Sequence, residues 1–160
     1  MLPIQDASLL RQQCFIDGQW LGADDGTTLP VTNPADGSVL GSVPRMGGAE
    51  TGRAIAAAAA AQPAWRRRTA QERAQVLRRW FELILASQED LAVLMTAEQG
   101  KPLAESRGEI QYAASFIEWF AEEARRVYGD TVPGFAEDKR ILVLKEELNT
   151  VPRFFYFYAT

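Results

Sequence analysis

Histidine is absent from the 160-residue chain. That excludes, within these residues, Ser-His-Asp triads, Cys-His nucleophile pairs and histidine-ligated metals. Cysteine occurs once, as Cys14, so neither an internal disulfide nor a multi-cysteine zinc site can form. A single thiol fits a reducing compartment, and a cytoplasmic protein is expected. There is no basic excess: 17 Lys and Arg stand against 21 Asp and Glu, for a net charge of -4. A nucleic-acid partner is therefore not expected. Long apolar runs are missing too. The lowest-polarity stretch, Ala54 to Ala61, is too short to cross a bilayer, and no membrane partner is expected. Met1-Leu-Pro-Ile-Gln-Asp has no basic segment leading into an apolar one, so no secretory signal is read there. What is present is ordinary globular material, 47% hydrophobic and 24% charged.

The first 44 residues read as short strands and turns. Asp17-Gly18 lies between Cys14-Phe-Ile and Gln19-Trp-Leu, and both turn residues tolerate positive φ, as a two-residue hairpin requires. Pro34-Ala-Asp-Gly37 separates Thr28-Leu-Pro-Val-Thr from Ser38-Val-Leu-Gly-Ser-Val in the same way. From Gly47-Gly48 the pattern becomes helical. Ala49 to Ala61 is rich in the best helix former, and Pro63 is expected to end or interrupt that helix. Thr69-Ala-Gln-Glu72 is a capping box that opens a helix with the stripe Leu77, Trp80, Phe81, Ile84 and Leu85. Ser87 is expected to cap a short helix bearing Leu91, Leu94 and Met95, with Gly100 ending it. Pro102 begins a long helix whose stripe is Ile110, Ala113, Ala114, Ile117, Phe120, Ala121, Ala124 and Val127, with Gly129 as its stop. After a turn at Val132-Pro-Gly, Arg140-Ile-Leu-Val-Leu-Lys reads as a strand.

Residues able to carry chemistry are sparse. Cys14 sits in a hairpin arm, with no neighbouring cation or helix N-terminus to turn it into a nucleophile, and reads as a small hydrophobe. Glu105 and Glu109 share a helix face near Glu98, but surface glutamates at this spacing are commonplace. Gly100-Lys101 fails the phosphate-loop pattern, because Met95 and Pro102 stand where a glycine and a hydroxyl residue are needed. Gly47-Gly48 lacks the dinucleotide spacing. The arginines at 66, 67, 68, 73, 78 and 79 read as a solvated helix face. Nothing in these residues by themselves assembles an active site.

Thr96-Ala-Glu-Gln-Gly-Lys-Pro-Leu-Ala-Glu-Ser-Arg-Gly-Glu-Ile resembles the N-terminal part of aldehyde dehydrogenases, which carry an acidic residue followed by x-Gly-Lys-Pro between two helices. Phe15-Ile-Asp-Gly-Gln-Trp, Thr32-Asn-Pro-Ala-Asp-Gly-Ser-Val, Ala64-Trp and Phe116-Ile-Glu-Trp-Phe-Ala-Glu-Glu-Ala agree in order and spacing. The likeness covers about residues 10 to 146 and is strongest to NAD(P)-dependent succinate-semialdehyde dehydrogenases. It implies an α/β fold, represented here by its N-terminal portion: mostly helices, with N-terminal β-hairpins and a C-terminal strand pair. It also implies oxidation of a small aldehyde by a cysteine nucleophile, a glutamate base and NAD or NADP. The segments that carry those groups in the family have no counterpart in this chain, and Cys14 matches a hairpin position. No catalytic or cofactor-binding residue is therefore assigned, the chain alone is expected to be inactive, and no NAD or NADP is expected to bind it.

Two family roles do fall on residues that are present. Backbone oxygens near the Thr-Asn-Pro turn and the acidic residue before Gly-Lys-Pro bind a monovalent cation in several members, which points to Val31, Thr32 and Glu98. The long helix lines the aldehyde entrance, which points to Gly108, Tyr112 and Phe116. After Glu146 the likeness stops, and 147–160 is expected to be a divergent aromatic tail attached to the segment 1–146, through truncation, frameshift or replacement. Its Phe154-Phe-Tyr-Phe-Tyr158 run is expected either to pair with Ile141 to Leu144 or to lie exposed, favouring self-association or aggregation. A non-catalytic helical interaction module is the alternative reading.

Overall fold

A computed structural model of the chain describes residues 2–145. The run Phe154 to Tyr158, and with it the expected tail pairing, lies outside the described residues. Among the described residues, three antiparallel strand pairs flank four α-helices. Strands β1 (Cys14–Ile16) and β2 (Gln19–Leu21) close through Asp17 and Gly18, at φ 50° and 78°, the two positive values expected of that turn. Strands β3 (Thr28–Thr32) and β4 (Val39–Pro44) pair with a register shift at Val31/Thr32. Their connection is fastened by Asn33: its Oδ1 accepts the Ala35 N–H at 2.9 Å, and its carbonyl accepts the Gly37 N–H at 2.8 Å.

Helix α1 (Gly48–Arg67) runs through Pro63, contrary to the expected stop. Proline removes one N–H and crowds one carbonyl. Here that loss falls where Pro63 and its neighbours are exposed, so water can take the freed carbonyl. Helix α2 (Ala70–Ala86) opens on the expected capping box. The Thr69 Oγ1 accepts the Glu72 N–H at 3.2 Å, and Glu72 Oε2 accepts the Thr69 N–H at 2.7 Å. Ser87 precedes α3 (Gln88–Gln99) without the expected side-chain cap, because its backbone N–H is still bonded to the end of α2. Gly100 ends α3 in the left-handed conformation, at φ 75°.

Helix α4 (Leu103–Glu123) stops short of Gly129, and Val132 and Pro133, read as the start of a turn, belong to strand β5 (Asp130–Pro133), paired with β6 (Arg140–Val143). Its place in the fold follows from the partner strand, which a local turn signal does not reveal.

The core lies where α2 and α3 pack on α4, and it is built mainly from alanines, Ala74, Ala92, Ala97, Ala114 and Ala121, with Leu94 and Ile110 among them. Fully buried Ser106 meets Thr96 hydroxyl to hydroxyl at 2.8 Å across α3 and α4. The expected stripes are only partly inside. Leu77, Phe81 and Ile84 are half-buried, whereas Trp80, Leu85, Ala113, Phe120 and Val127 are exposed. Helix α4 thus has two apolar faces. The small-residue face, Ser106-Ile110-Ala114-Ala121, allows close helix approach and is covered; the aromatic face is not.

Candidate functional site

Gly108, Tyr112 and Phe116 recur every four residues along α4 and so share a stripe. The structure places them on its open side. Gly108 has no side chain, which leaves a notch in the stripe at that end, and beyond its chain neighbours and its own helix backbone no heavy atom lies within 4 Å of where its Cβ would be. Tyr112 and Phe116 meet edge to face, 4.8 Å between ring centres at 78°, with 67% and 46% of their surface exposed. Phe116 continues into an open depression with Ser115, Trp119 and Phe120, rimmed by Glu118 and Glu122. Phe120, read as part of the apolar stripe of the helix, lies exposed beside Trp119; the sign available in the sequence was their spacing from Phe116 at i+3 and i+4.

The second set, Val31, Thr32 and Glu98, comes from two elements that touch. A Cβ on Gly100 would lie 2.8 Å from Pro34 Cγ, so the end of α3 sits against the β3–β4 turn. Glu98 lies just before that contact on one side, and Val31 and Thr32 just before it on the other. Glu98 is half-buried, and burial raises its carboxyl pKa above the usual glutamate value. Its side chain has no hydrogen-bond or ion partner among the described residues, since the nearby Lys101 ammonium is drawn to Glu109. The end of α3 also presents free carbonyls and the negative end of the helix dipole. No group of three or more Asp, Glu, Cys or His side chains is placed to hold a metal among the described residues, so a cation here would rely on backbone oxygens.

Elsewhere the acidic groups are already engaged. Glu50, buried at the start of α1, accepts the Asp24 N–H at 3.1 Å and the Gly47 N–H at 3.0 Å, which holds its pKa below the usual value. Glu89 forms a two-pronged pair with Arg107, and Asp24 with Arg53. Glu105 and Glu109 do not combine into an acid–base pair, since Glu109 is taken by Lys101. Cys14 is half-buried in β1 opposite Leu21, on a hairpin and apart from α4.

The description "Aldehyde dehydrogenase family" fits residues 20–151 of the sequence. The chain belongs to that family. Glutarate-semialdehyde dehydrogenase of Pseudomonas putida is 63% identical over 147 residues, which are 92% of this chain and 31% of that protein. The NADP-dependent succinate-semialdehyde dehydrogenase of Escherichia coli is 59% identical over 147 residues, 92% of this chain and 30% of the relative. The crystal structure of succinate-semialdehyde dehydrogenase from Burkholderia pseudomallei superposes with a TM-score of 0.88 at 59% identity, covering 90% of this chain and 30% of that one. The chain thus spans about a third of the length of these aldehyde dehydrogenases, and it reproduces the N-terminal portion of their α/β fold. Among the described residues, no helix is long and apolar enough to cross a membrane.

Proposed function

We infer that these residues form the N-terminal part of a dehydrogenase that oxidises a short aldehyde bearing a carboxylate at its other end, of the succinate- or glutarate-semialdehyde kind, to the acid with NAD or NADP. The family match carries this reading, and the relatives named for such substrates support it. Within that reaction, the notch at Gly108 and the rings of Tyr112 and Phe116 border the path of the aldehyde chain, excluding water through apolar contact. The Glu98 carboxylate and the backbone oxygens of Val31 and Thr32 contribute to a monovalent cation site that joins α3 to the β3–β4 hairpin.

Contacts at the starts of α1 and α2 support the reading that no dinucleotide binds there. A pyrophosphate needs a helix N-terminus with free N–H groups. At the start of α1 the Gly47 N–H is held by Glu50, and at the start of α2 the Thr69 N–H is held by Glu72. A phosphate would meet a carboxylate at either place. With Cys14 in a hairpin, nothing in these residues supplies an activated nucleophile. The 160-residue chain by itself therefore turns over no aldehyde, and its one free thiol suits the cytoplasm. The exposed aromatic face of α4 favours a second role alongside this one, association through that face.

Two measurements test the reading together. The isolated chain, mixed with succinate or glutarate semialdehyde and NAD or NADP, should give no reduced cofactor above a blank, and calorimetry should detect no binding. The Pseudomonas putida relative, with its matching N-terminal residues replaced by residues 2–145, should still oxidise glutarate semialdehyde. Thiol-dependent turnover by the isolated chain would overturn its inactivity. A correctly folded graft without turnover would overturn the assignment to this reaction.

A further inference from the structure

The segment Leu2 to Gln12 contains no strand and no α-helix, yet it is fastened at both ends to different elements. Near its start, Asp90 of α3 receives two backbone N–H groups on its two carboxylate oxygens: Gln5 at 2.9 Å and Asp6 at 2.8 Å. Asp90 is buried, and it lies in the first turn of α3, where an acidic side chain would ordinarily serve its own helix. Asp6 then caps the 3-10 turn Ala7–Leu9 by accepting the Ser8 N–H at 2.9 Å, which fixes the direction in which the chain leaves. At the far end, Gln12 Oε1 accepts the Ser42 N–H of β4 at 2.9 Å. Ser42 stands opposite Pro30 in the ladder, and the N–H that it gives to Gln12 points away from β3, an edge group that Gln12 covers. The fit at this end is close: a Cβ on the neighbouring Gly41 would come within 3.1 Å of that same Gln12 oxygen.

Helix α3 therefore meets the β3–β4 hairpin twice. Its C-terminal end abuts the turn directly, Gly100 against Pro34. Among the described residues, its N-terminal end is tied to β4 through the segment that Asp90 and Gln12 hold. With α3 packed on α4, a hairpin touched at one place can pivot about that contact, whereas one tied at two places cannot. We propose that Leu2–Gln12 is a strap that sets the placement of α3 on the β3–β4 hairpin, with Asp90 and Gln12 as its positioning residues. In so doing it sets the position of Glu98 relative to Val31 and Thr32. The last clause rests on the cation reading given above; the strap itself rests on the contacts alone.

Hydrogen exchange of the full chain, read by NMR or mass spectrometry, tests the strap without any cation present. Asp90→Ala should speed exchange at Gln5 and Asp6 by about tenfold or more, because two bonds to a charged acceptor are lost. It should also speed exchange at Ser42 and at Gly37 in the hairpin turn by about threefold, although Asp90 touches neither, since the hairpin loses its second tie to α3. Amides around Ile110 and Ala114, on the covered face of α4, should stay within about twofold. Asp90→Glu should restore part of the protection. Gln12→Ala, an exposed change that does not threaten folding, should free Ser42 and Gly37 while leaving Gln5 and Asp6 protected. Unchanged exchange at Ser42 and Gly37 in Asp90→Ala would overturn the proposal, and so would uniform acceleration across α3 and α4, which would make Asp90 a general stabiliser. Intact coupling together with no stabilisation by potassium would support the strap and overturn the cation reading.

Discussion

Replacing Gly100 by alanine puts two separable penalties on one atom. The first is conformational. Gly100 ends α3 at φ 75° and ψ 8°, donating its N–H to the Thr96 carbonyl at 2.8 Å, and an L-residue held in that left-handed region costs about 1–2 kcal/mol. The second is steric. The added Cβ would lie 2.8 Å from Pro34 Cγ and 3.7 Å from its Cβ. The proline ring is rigid and cannot swing aside as a long side chain would, so α3 must back away from the hairpin. Overpacking of this kind costs about 1–3 kcal/mol. Together the expectation is about 2–5 kcal/mol, a large part of the total stability of an ordinary domain. Gly18→Ala is the matched control. It has the same hand of backbone, φ 78°, and nothing within 4 Å of the new atom, so it should cost only the conformational part, about 1–2 kcal/mol. Urea unfolding followed by circular dichroism gives both values, with the slope unchanged if only the folded state is affected. Pro34→Ala made in the Gly100→Ala background should recover the steric part, which a double-mutant cycle isolates. If Gly100→Ala costs no more than Gly18→Ala, the contact between α3 and the hairpin turn is not tight, and the argument joining Glu98 to Val31 and Thr32 fails with it.

Two further outcomes are expected. Burial raises the pKa of Glu98 in the folded chain, so its charged form opposes folding above that raised value, and the penalty disappears as the pH falls and the carboxyl protonates. Glu98→Gln should therefore be the more stable chain at about pH 7, with the advantage shrinking towards zero below about pH 4; urea midpoints measured across pH would show it, and an advantage that stays constant would refute it. The exposed rings of Phe116, Trp119 and Phe120, with the edge of β6 that no strand among the described residues covers, should make the chain associate with itself. Size-exclusion chromatography with light scattering should show a mass that rises with concentration, and a monomer at every concentration would count against this.

The N-terminal hairpins, the Thr69–Glu72 box and the Gly100 stop were all legible because each is local chemistry. A positive φ, a side-chain cap and a left-handed helix end are dictated by residues within a few positions of one another. The family was legible for a related reason, since its motifs are contiguous. The errors came where the answer depended on distant residues. Pro63 stays inside α1 because that stretch faces water, and Val132-Pro133 is a strand because Ile141 and Arg140 stand opposite.

The apolar spacing of α4 in the sequence marked one broad stripe, but periodicity measures only which residues share a side of a helix. Which side is covered depends on the size and shape of what packs there. Helices α2 and α3 approach closely enough to bury Ala114 and Ala121, while Trp119 and Phe120 are left outside. Glu98 shows the same division. The sequence marked it by its place before Gly-Lys-Pro, but its burial and the meeting of α3 with the Asn33–Pro34 turn come from packing. Asp90 carried no mark at all, being one more acidic residue in a first turn. Its role appears only when the backbone N–H groups of Gln5 and Asp6, more than eighty residues away in sequence, are brought to its two oxygens. Local sequence fixes dihedral angles and caps within a few residues, whereas contacts between distant segments depend on how whole elements fit, and that the tertiary structure alone decided.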